Sequence, residues 1–228
     1  MKWILTTLVV LLVIGCGGQK PVQPPVAQPP TGTTTPPADT TKAAQAATPA
    51  AQAEVKGMLK DTLVATKLPE NLYMTIKVKD YGTMKIQLYT KDAPLNVTNV
   101  ANLGIKGFYN GLTFHRLIPG FMIQGGDPSG NGTGGPGYTV PAEIKRRHDK
   151  GSMAMARTGD GVNPERRSSG SQFYICFKPT PQLDGQYTVI GQLVEGMDVL
   201  DKLEKVATGA MDKPVKPVIM EQVTVSNE

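Results

Sequence analysis

From Leu72 onward the chain alternates apolar and polar side chains with a period of two, and no other feature limits its fold as strongly. Leu72, Met74, Ile76 and Val78 interleave with Tyr73, Thr75, Lys77 and Lys79. Gly82 interrupts, and Met84, Ile86 and Leu88 then interleave with Lys85, Gln87 and Tyr89. Successive side chains of a strand point to opposite faces, so this pattern predicts a hairpin of two half-buried strands. Further short strand-like runs follow at 113–118, 121–124, 152–156, 172–177, 187–193 and 218–225, most of them separated by Gly- and Pro-rich turns. Two stretches keep helical spacing instead. Pro94, two residues after Asp92, opens one in which Val97, Val100, Ala101 and Ile105 recur. Val199, Leu200 and Leu203 share a face of the other, over 197–206. Many short strands with two helices make a mainly β chain, an antiparallel barrel or sandwich. There is no internal repeat.

The N-terminal segment has the opposite texture. Lys2 precedes an apolar run over positions 3–14, twelve residues, where a membrane-spanning helix needs ~20. That length suits the core of an export signal. The run ends in Val13-Ile14-Gly15-Cys16, which resembles the lipobox of bacterial lipoproteins. The resemblance implies removal of a signal peptide, 1–15, and lipidation of Cys16 as the mature N-terminus. An ordinary secretory signal with a chance cysteine is the alternative. Residues 16–66 follow as a spacer rich in Pro, Thr and Ala, with Pro21, Pro24, Pro25, Pro29, Pro30, Pro36, Pro37 and Pro49 favouring extended chain. Too little apolar area is available there to offset the entropy of ordering. A short helix over 50–63 is weakly patterned. The folded domain is expected over 67–228.

The residue inventory excludes most covalent and metal chemistry. His115 and His148 are the two histidines, and neither has a metal-ligand partner at a useful spacing. There is no G-x-S-x-G elbow, and Cys176 lies inside an apolar run, where a buried inert thiol is expected. Cys16 and Cys176 are too few for a disulfide framework. The glycine-rich stretch 130–135 lacks the Lys-Ser/Thr pair of a phosphate loop and reads as a surface turn. A net charge of +5, from 24 Lys and Arg against 19 Asp and Glu, is too small and dispersed to imply nucleic-acid binding. The basic runs Lys145-Arg146-Arg147 and Arg166-Arg167 read as solvated loops.

Three blocks then carry a family resemblance. The stretch Phe114-His115-Arg116-Leu117-Ile118-Pro119-Gly120-Phe121-Met122-Ile123-Gln124-Gly125-Gly126-Asp127 closely resembles the cyclophilin signature. Ser171-Gln172-Phe173-Tyr174-Ile175 is similar to a later strand of that family. Leu183-Asp184-Gly185, followed by Val189-Ile190-Gly191 and Val194-Glu195-Gly196-Met197, resembles the approach to the family's last helix. The blocks stand in family order across the folded domain. They imply an eight-stranded antiparallel barrel capped by two helices, with the active site on the outer face. The implied activity is peptidyl-prolyl cis–trans isomerisation, which breaks no covalent bond and needs no cofactor or metal.

The same resemblance implies roles for individual residues. Arg116 would be the catalytic cation, and Gln124 would hold a substrate carbonyl. Phe121, Met122, Tyr174 and Leu183 would line a pocket for the proline ring, with His115 at the rim. Gln172 would support Arg116 or the peptide, and Ala156, Arg157 and Tyr187 would also contact substrate. Gln182 stands where the family commonly has tryptophan, Tyr187 where it has histidine, and Arg157 where many members have asparagine. An extended loop, 158–169, follows. These departures bear on peptide preference, since Arg116 and Gln124 are intact. The expected partners are proline-containing polypeptides and, through the lipid, a membrane of the cell envelope, for a monomer on its extracytoplasmic side. A cyclophilin fold could also serve as a module that docks proline-containing segments; intact Arg116 favours the enzyme.

Overall fold

The computed structural model describes residues 64–228, so the signal peptide, Cys16, the weakly patterned 50–63 segment and almost all of the spacer lie outside the described residues. Tyr73–Val78 (β1) and Gly82–Leu88 (β2) form the expected hairpin, with Ile76 opposite Met84. Met74, Ile76, Val78, Met84, Ile86 and Leu88 are buried on its inner face. Leu68 packs against the same core just after a 3-10 turn at Ala65–Lys67.

Pro94–Ile105 (α1) starts at the proline, whose missing N–H is not needed at that position. No side chain of the helix's own N-cap bonds the first turn. The Glu143 carboxylate accepts from the backbone N–H groups of Leu95 and Asn96 instead, at 3.1 and 2.9 Å, placing an anion at the positive end of the helix. The remaining elements are Thr113–Ile118 (β3), Met122–Gly125 (β4), Thr139–Val140 (β5), Ser152–Met155 (β6), Ser168–Ser169 (β7), Phe173–Cys176 (β8), Val189–Glu195 (β9), Met197–Leu203 (α2) and Val218–Ser226 (β10). Eight strands close a barrel in the order β1-β10-β3-β4-β8-β6-β9-β2, every recorded pairing being antiparallel. Closure leaves these strands without an exposed edge. Phe114, Leu117, Ile123, Met153, Phe173 and Ile175 fill the interior, each contributing on the order of 1.5–3 kcal/mol by burial. Val199, Leu200 and Leu203 of α2 bury against the same core. The barrel and two helices are those the sequence implied.

Three details differ from the sequence reading. The second helix ends at Leu203 rather than near Val206, because the Val206 N–H bonds the Leu203 carbonyl three residues back in a tightened turn. The two-residue pair β5–β7 has no counterpart in the sequence reading, since two residues carry no period. The strand at 113–118 contains a bulge. Phe114 faces Gly125 and Arg116 faces Gln124, so His115 is an extra residue without a partner across the strand.

Candidate active site

The register of four strands places chemistry in one row. Arg116 of β3 lies opposite Gln124 of β4, Gln124 opposite Tyr174 of β8, and Tyr174 opposite Ala154 of β6. Their chain neighbours Leu117, Ile123, Phe173, Ile175 and Met153 fill the barrel, so the row faces outward. A second apolar cluster covers this outer face. Met122, Ala154, Ala156, Tyr174, Cys176 and Val189 are buried in it, with Ile118, Phe121, Leu183 and Tyr187 packed at its margin. Six of the expected contact residues thus meet in one place: Phe121, Met122, Ala156, Tyr174, Leu183 and Tyr187. An apolar patch beside a guanidinium and a carboxamide can take a proline ring and contact its amide.

Gln124 is held in place by a chain of hydrogen bonds. Its Nε2 donates to Gln172 Oε1 at 2.9 Å, which leaves its second N–H and its own carbonyl oxygen for a ligand. Gln172 donates both of its amide hydrogens to the carbonyls of Gly132 and Gly134, and its carbonyl oxygen supports Gln124. The glycine-rich loop that read as a surface turn therefore positions the site. Asp127 fixes that loop by accepting from the backbone N–H groups of Ser129, Asn131 and Gly132. Burial raises the pKa of this carboxyl, but the N–H groups around it outweigh burial and hold it below the usual carboxylate range.

Tyr174 forms the pocket floor and is anchored from below. Its hydroxyl lies 2.9 Å from His148 Nε2, and His148 Nδ1 lies 2.9 Å from Asp184 Oδ1. An ionised carboxylate only accepts, so Nδ1 carries the proton, and in the neutral ring Nε2 accepts from the tyrosine. Tyr187 packs edge-on against Tyr174 with ring centroids 5.8 Å apart. Arg157 stacks on Tyr187 at 4.6 Å and donates to the Gln186 carbonyl at 2.9 Å, while Arg166 donates to the Gly185 carbonyl at 3.0 Å. Loop 158–169 is thereby docked onto the segment carrying Leu183 and Tyr187. The basic runs lie in exposed loops, as expected, and some of their side chains are also paired: Arg146 with Asp92 and over the Tyr89 ring, and Arg167 with Thr139. The thiol of Cys176 is pushed up to about 11 by burial, in keeping with an inert group.

Burial also pushes both His148 and His115 below the ordinary histidine value of 6.5. Between the folded and unfolded values the unfolded chain binds more protons, so stability falls as pH drops below about 6.5. Asp184, held low chiefly by its bond to His148, and Asp127 add stability that is lost only as pH falls further, through the carboxylate range. The melting temperature is expected to hold from pH 8 to 7 and to decline progressively from about pH 6.5. An unchanged melting temperature down to pH 5 would contradict the assignment of two buried neutral histidines.

Arg116 makes one side-chain hydrogen bond among the described residues, from Nε to Asp212 Oδ2 at 3.2 Å. With Phe114 and Leu117 both turned into the core, the bulge leaves His115 beside Arg116 on the outer side of the strand. This histidine is 7% exposed, neither ring nitrogen has a partner among the described residues, and it lines a separate hollow of about 220 Å³ with Lys213, Ser129 and Pro214. His115 thus adjoins Arg116 and the Gly132 loop that supports Gln172. The bulge left a trace in the sequence: Phe114 and Leu117 are both core residues three apart, which strict alternation cannot place on one face. His148 and Asp212 were missed because both stand in aperiodic loops. Asp184 stood in a quoted block without a role.

Comparison with known proteins agrees with the geometry. Residues 73–225 match the family described as cyclophilin type peptidyl-prolyl cis-trans isomerase/CLD. A peptidyl-prolyl cis-trans isomerase of Helicobacter pylori is 44% identical over 144 residues, 61% of this chain and 84% of that protein. One from Synechococcus elongatus is 52% identical over 112 residues, 49% of this chain and 73% of that protein. A crystal structure of a Cryptosporidium parvum cyclophilin type isomerase superimposes with a TM-score of 0.63 at 33% identity, covering 67% of this chain and 96% of that one. A second structure of that protein, in the presence of the dipeptide Ala-Pro, gives 0.62 at 32% identity, covering 67% of this chain and 98% of that one. A barrel of this topology with this site defines the cyclophilin class. The chain belongs to the cyclophilin-type peptidyl-prolyl cis–trans isomerase family.

Proposed function

We propose that this isomerase accelerates Xaa-Pro rotation by stabilising the twisted amide electrostatically, with Arg116 as the cation. The barrier is ~18–20 kcal/mol and arises largely from amide resonance. Twisting the amide localises the lone pair on the proline nitrogen, so a fixed positive charge beside it favours the twisted state over the planar ones. The observation that carries this reading is the row of Arg116 and Gln124 beside the outer apolar patch. Phe121, Met122, Tyr174 and Leu183 hold the proline ring, Gln124 holds a flanking backbone group, and Arg116 faces the nitrogen. Proline-containing polypeptides are the substrate class, which the dipeptide used with the Cryptosporidium protein also supports.

The setting is the cell envelope, where the enzyme acts as a monomeric folding catalyst. The apolar run at 3–14 is too short to span, and Cys16 ends it, so a lipid on Cys16 tethers the isomerase through the Pro-rich spacer. Each buried methylene of an acyl chain contributes ~0.8 kcal/mol, and more than one chain gives firm anchoring. Exported proteins meet uncatalysed Xaa-Pro isomerisation on a scale of tens to hundreds of seconds, slow enough to limit folding. Cys16→Ser is expected to move the protein out of the membrane fraction or leave it unprocessed, while wild-type mature protein carries acyl mass on Cys16. Mature wild-type protein with an unmodified Cys16, read by mass spectrometry, would overturn the anchor. Failure of the wild-type protein to speed a proline-limited refolding reaction would overturn the folding role.

A further inference from the structure

The loop 208–214 is buried at Pro214, but the turn within it has a shape that burial does not explain. Thr208 and Pro214 bridge to close it, and the Gly209 N–H bonds the Lys213 carbonyl at 2.8 Å. Inside this closure Met211 and Asp212 both adopt left-handed backbone, with φ of 59° and 57°. Neither is a glycine, and such residues cost about 1–3 kcal/mol each unless the surroundings hold them there. No residue of its 3-10 turn, Ala210–Asp212, is buried, and Met211 is 80% exposed. The strain is therefore not offset by core packing at that turn. What the conformation accomplishes is to present the Asp212 carboxylate to Arg116 Nε.

This ion pair contributes little to the fold. Its side chains are 43% and 45% exposed, and pairs so exposed are worth ~0–1 kcal/mol. Its effect on the arginine is larger. A half-exposed arginine has several free torsions and no other recorded side-chain bond, so without Asp212 its guanidinium samples many orientations. Binding at Nε fixes the plane of the group and leaves both terminal amino groups unbound for a substrate.

We propose that Asp212 is a positioning residue that orients the Arg116 guanidinium for isomerisation, and that the strained segment 208–214 exists to deliver its carboxylate. The proposal rests on the reading of Arg116 as the catalytic cation. Orientation is prepaid by the protein and realised when the amide twists, so its loss lowers kcat more than it raises KM. The nearby negative charge weakens the field of Arg116, and the gain in orientation outweighs this.

The test uses full-length protein with Asp212→Ala, Asp212→Asn, Arg116→Ala and the Arg116→Ala/Asp212→Ala double variant. Asp212→Ala is expected to lower kcat roughly tenfold with KM within a factor of two and the melting temperature nearly unchanged, the scale of a mispositioned catalytic group. Asp212→Asn, whose carbonyl oxygen still accepts from Nε, is expected to recover most of that loss. In the Arg116→Ala background the second substitution should have no further effect. A wild-type or raised kcat in Asp212→Ala, with Arg116→Ala inactive, overturns the positioning role and leaves Arg116 as the cation. A tenfold loss that persists in the Arg116→Ala background also overturns it. Full activity of Arg116→Ala removes both readings together.

Discussion

Replacing Arg116 with alanine is expected to lower kcat/KM by a hundred- to a thousandfold while leaving the protein folded. The size follows from the role: removing one group that stabilises charge developing in the transition state costs about 3–4 kcal/mol. No second cation of the described structure lies in the row formed with Gln124, Tyr174 and Ala154, so nothing local compensates. The fold survives because Arg116 lies on the outer face and its one ion pair is half exposed. The Phe121, Met122 and Leu183 pocket remains, so most of the loss falls on kcat. Peptide turnover and thermal melting on the same preparation check both halves of this expectation. A melt lowered by more than a few degrees would show that Arg116 is structural.

Gly126→Ala is expected to be the most damaging small substitution in the signature block. Gly126 has a φ of 82°, and a Cβ there would collide with the backbone carbonyl of Ser171. The left-handed backbone alone costs an alanine ~1–2 kcal/mol. The collision adds more, because the atom in the way is backbone and cannot rotate aside. Moving it disturbs the bond from Ser171 Oγ to the Gly126 carbonyl, 2.7 Å, and the bond from the buried Tyr109 hydroxyl to the Ser171 carbonyl, 3.2 Å. Each buried polar group left unpaired costs ~1–3 kcal/mol. The sum is on the order of 4 kcal/mol, a large share of the ~5–15 kcal/mol that a domain has. A fall in melting temperature of roughly 10 °C follows. Gly111→Ala is the control: its φ is 80°, but a Cβ there meets nothing within 4 Å, so it pays the backbone cost alone. Equal melts for the two variants would show that the close approach at Gly126 carries no weight.

These two expectations also mark how far the sequence could be read. Alternation placed the 72–89 hairpin because period two records which face of a strand is buried. Together with the family blocks, it yielded the barrel and brought Arg116, Gln124, Phe121, Met122, Tyr174 and Leu183 to one outer face. What stayed hidden has no periodic signature. The β5–β7 pair is two residues long and carries no period. The supports of the site come from far along the chain. Asp184 reaches back 36 residues to His148, Gln172 reaches 40 to Gly132, and Asp212 reaches 96 to Arg116. Such contacts depend on how loops lie over a finished barrel, and single residues in polar loops do not announce them.

The central claim, that Arg116 acts on the twisting amide rather than on binding, is tested most directly by NMR at equilibrium. An Ala-Pro peptide is titrated into wild-type and Arg116→Ala protein. Binding is followed from shifts at Met122, Tyr174 and Leu183, and cis–trans exchange from the peptide's own exchange peaks. The structure predicts that both proteins saturate at similar peptide concentrations, and that exchange peaks present with wild type vanish with Arg116→Ala. Exchange at the wild-type rate in an Arg116→Ala protein that binds normally would contradict it.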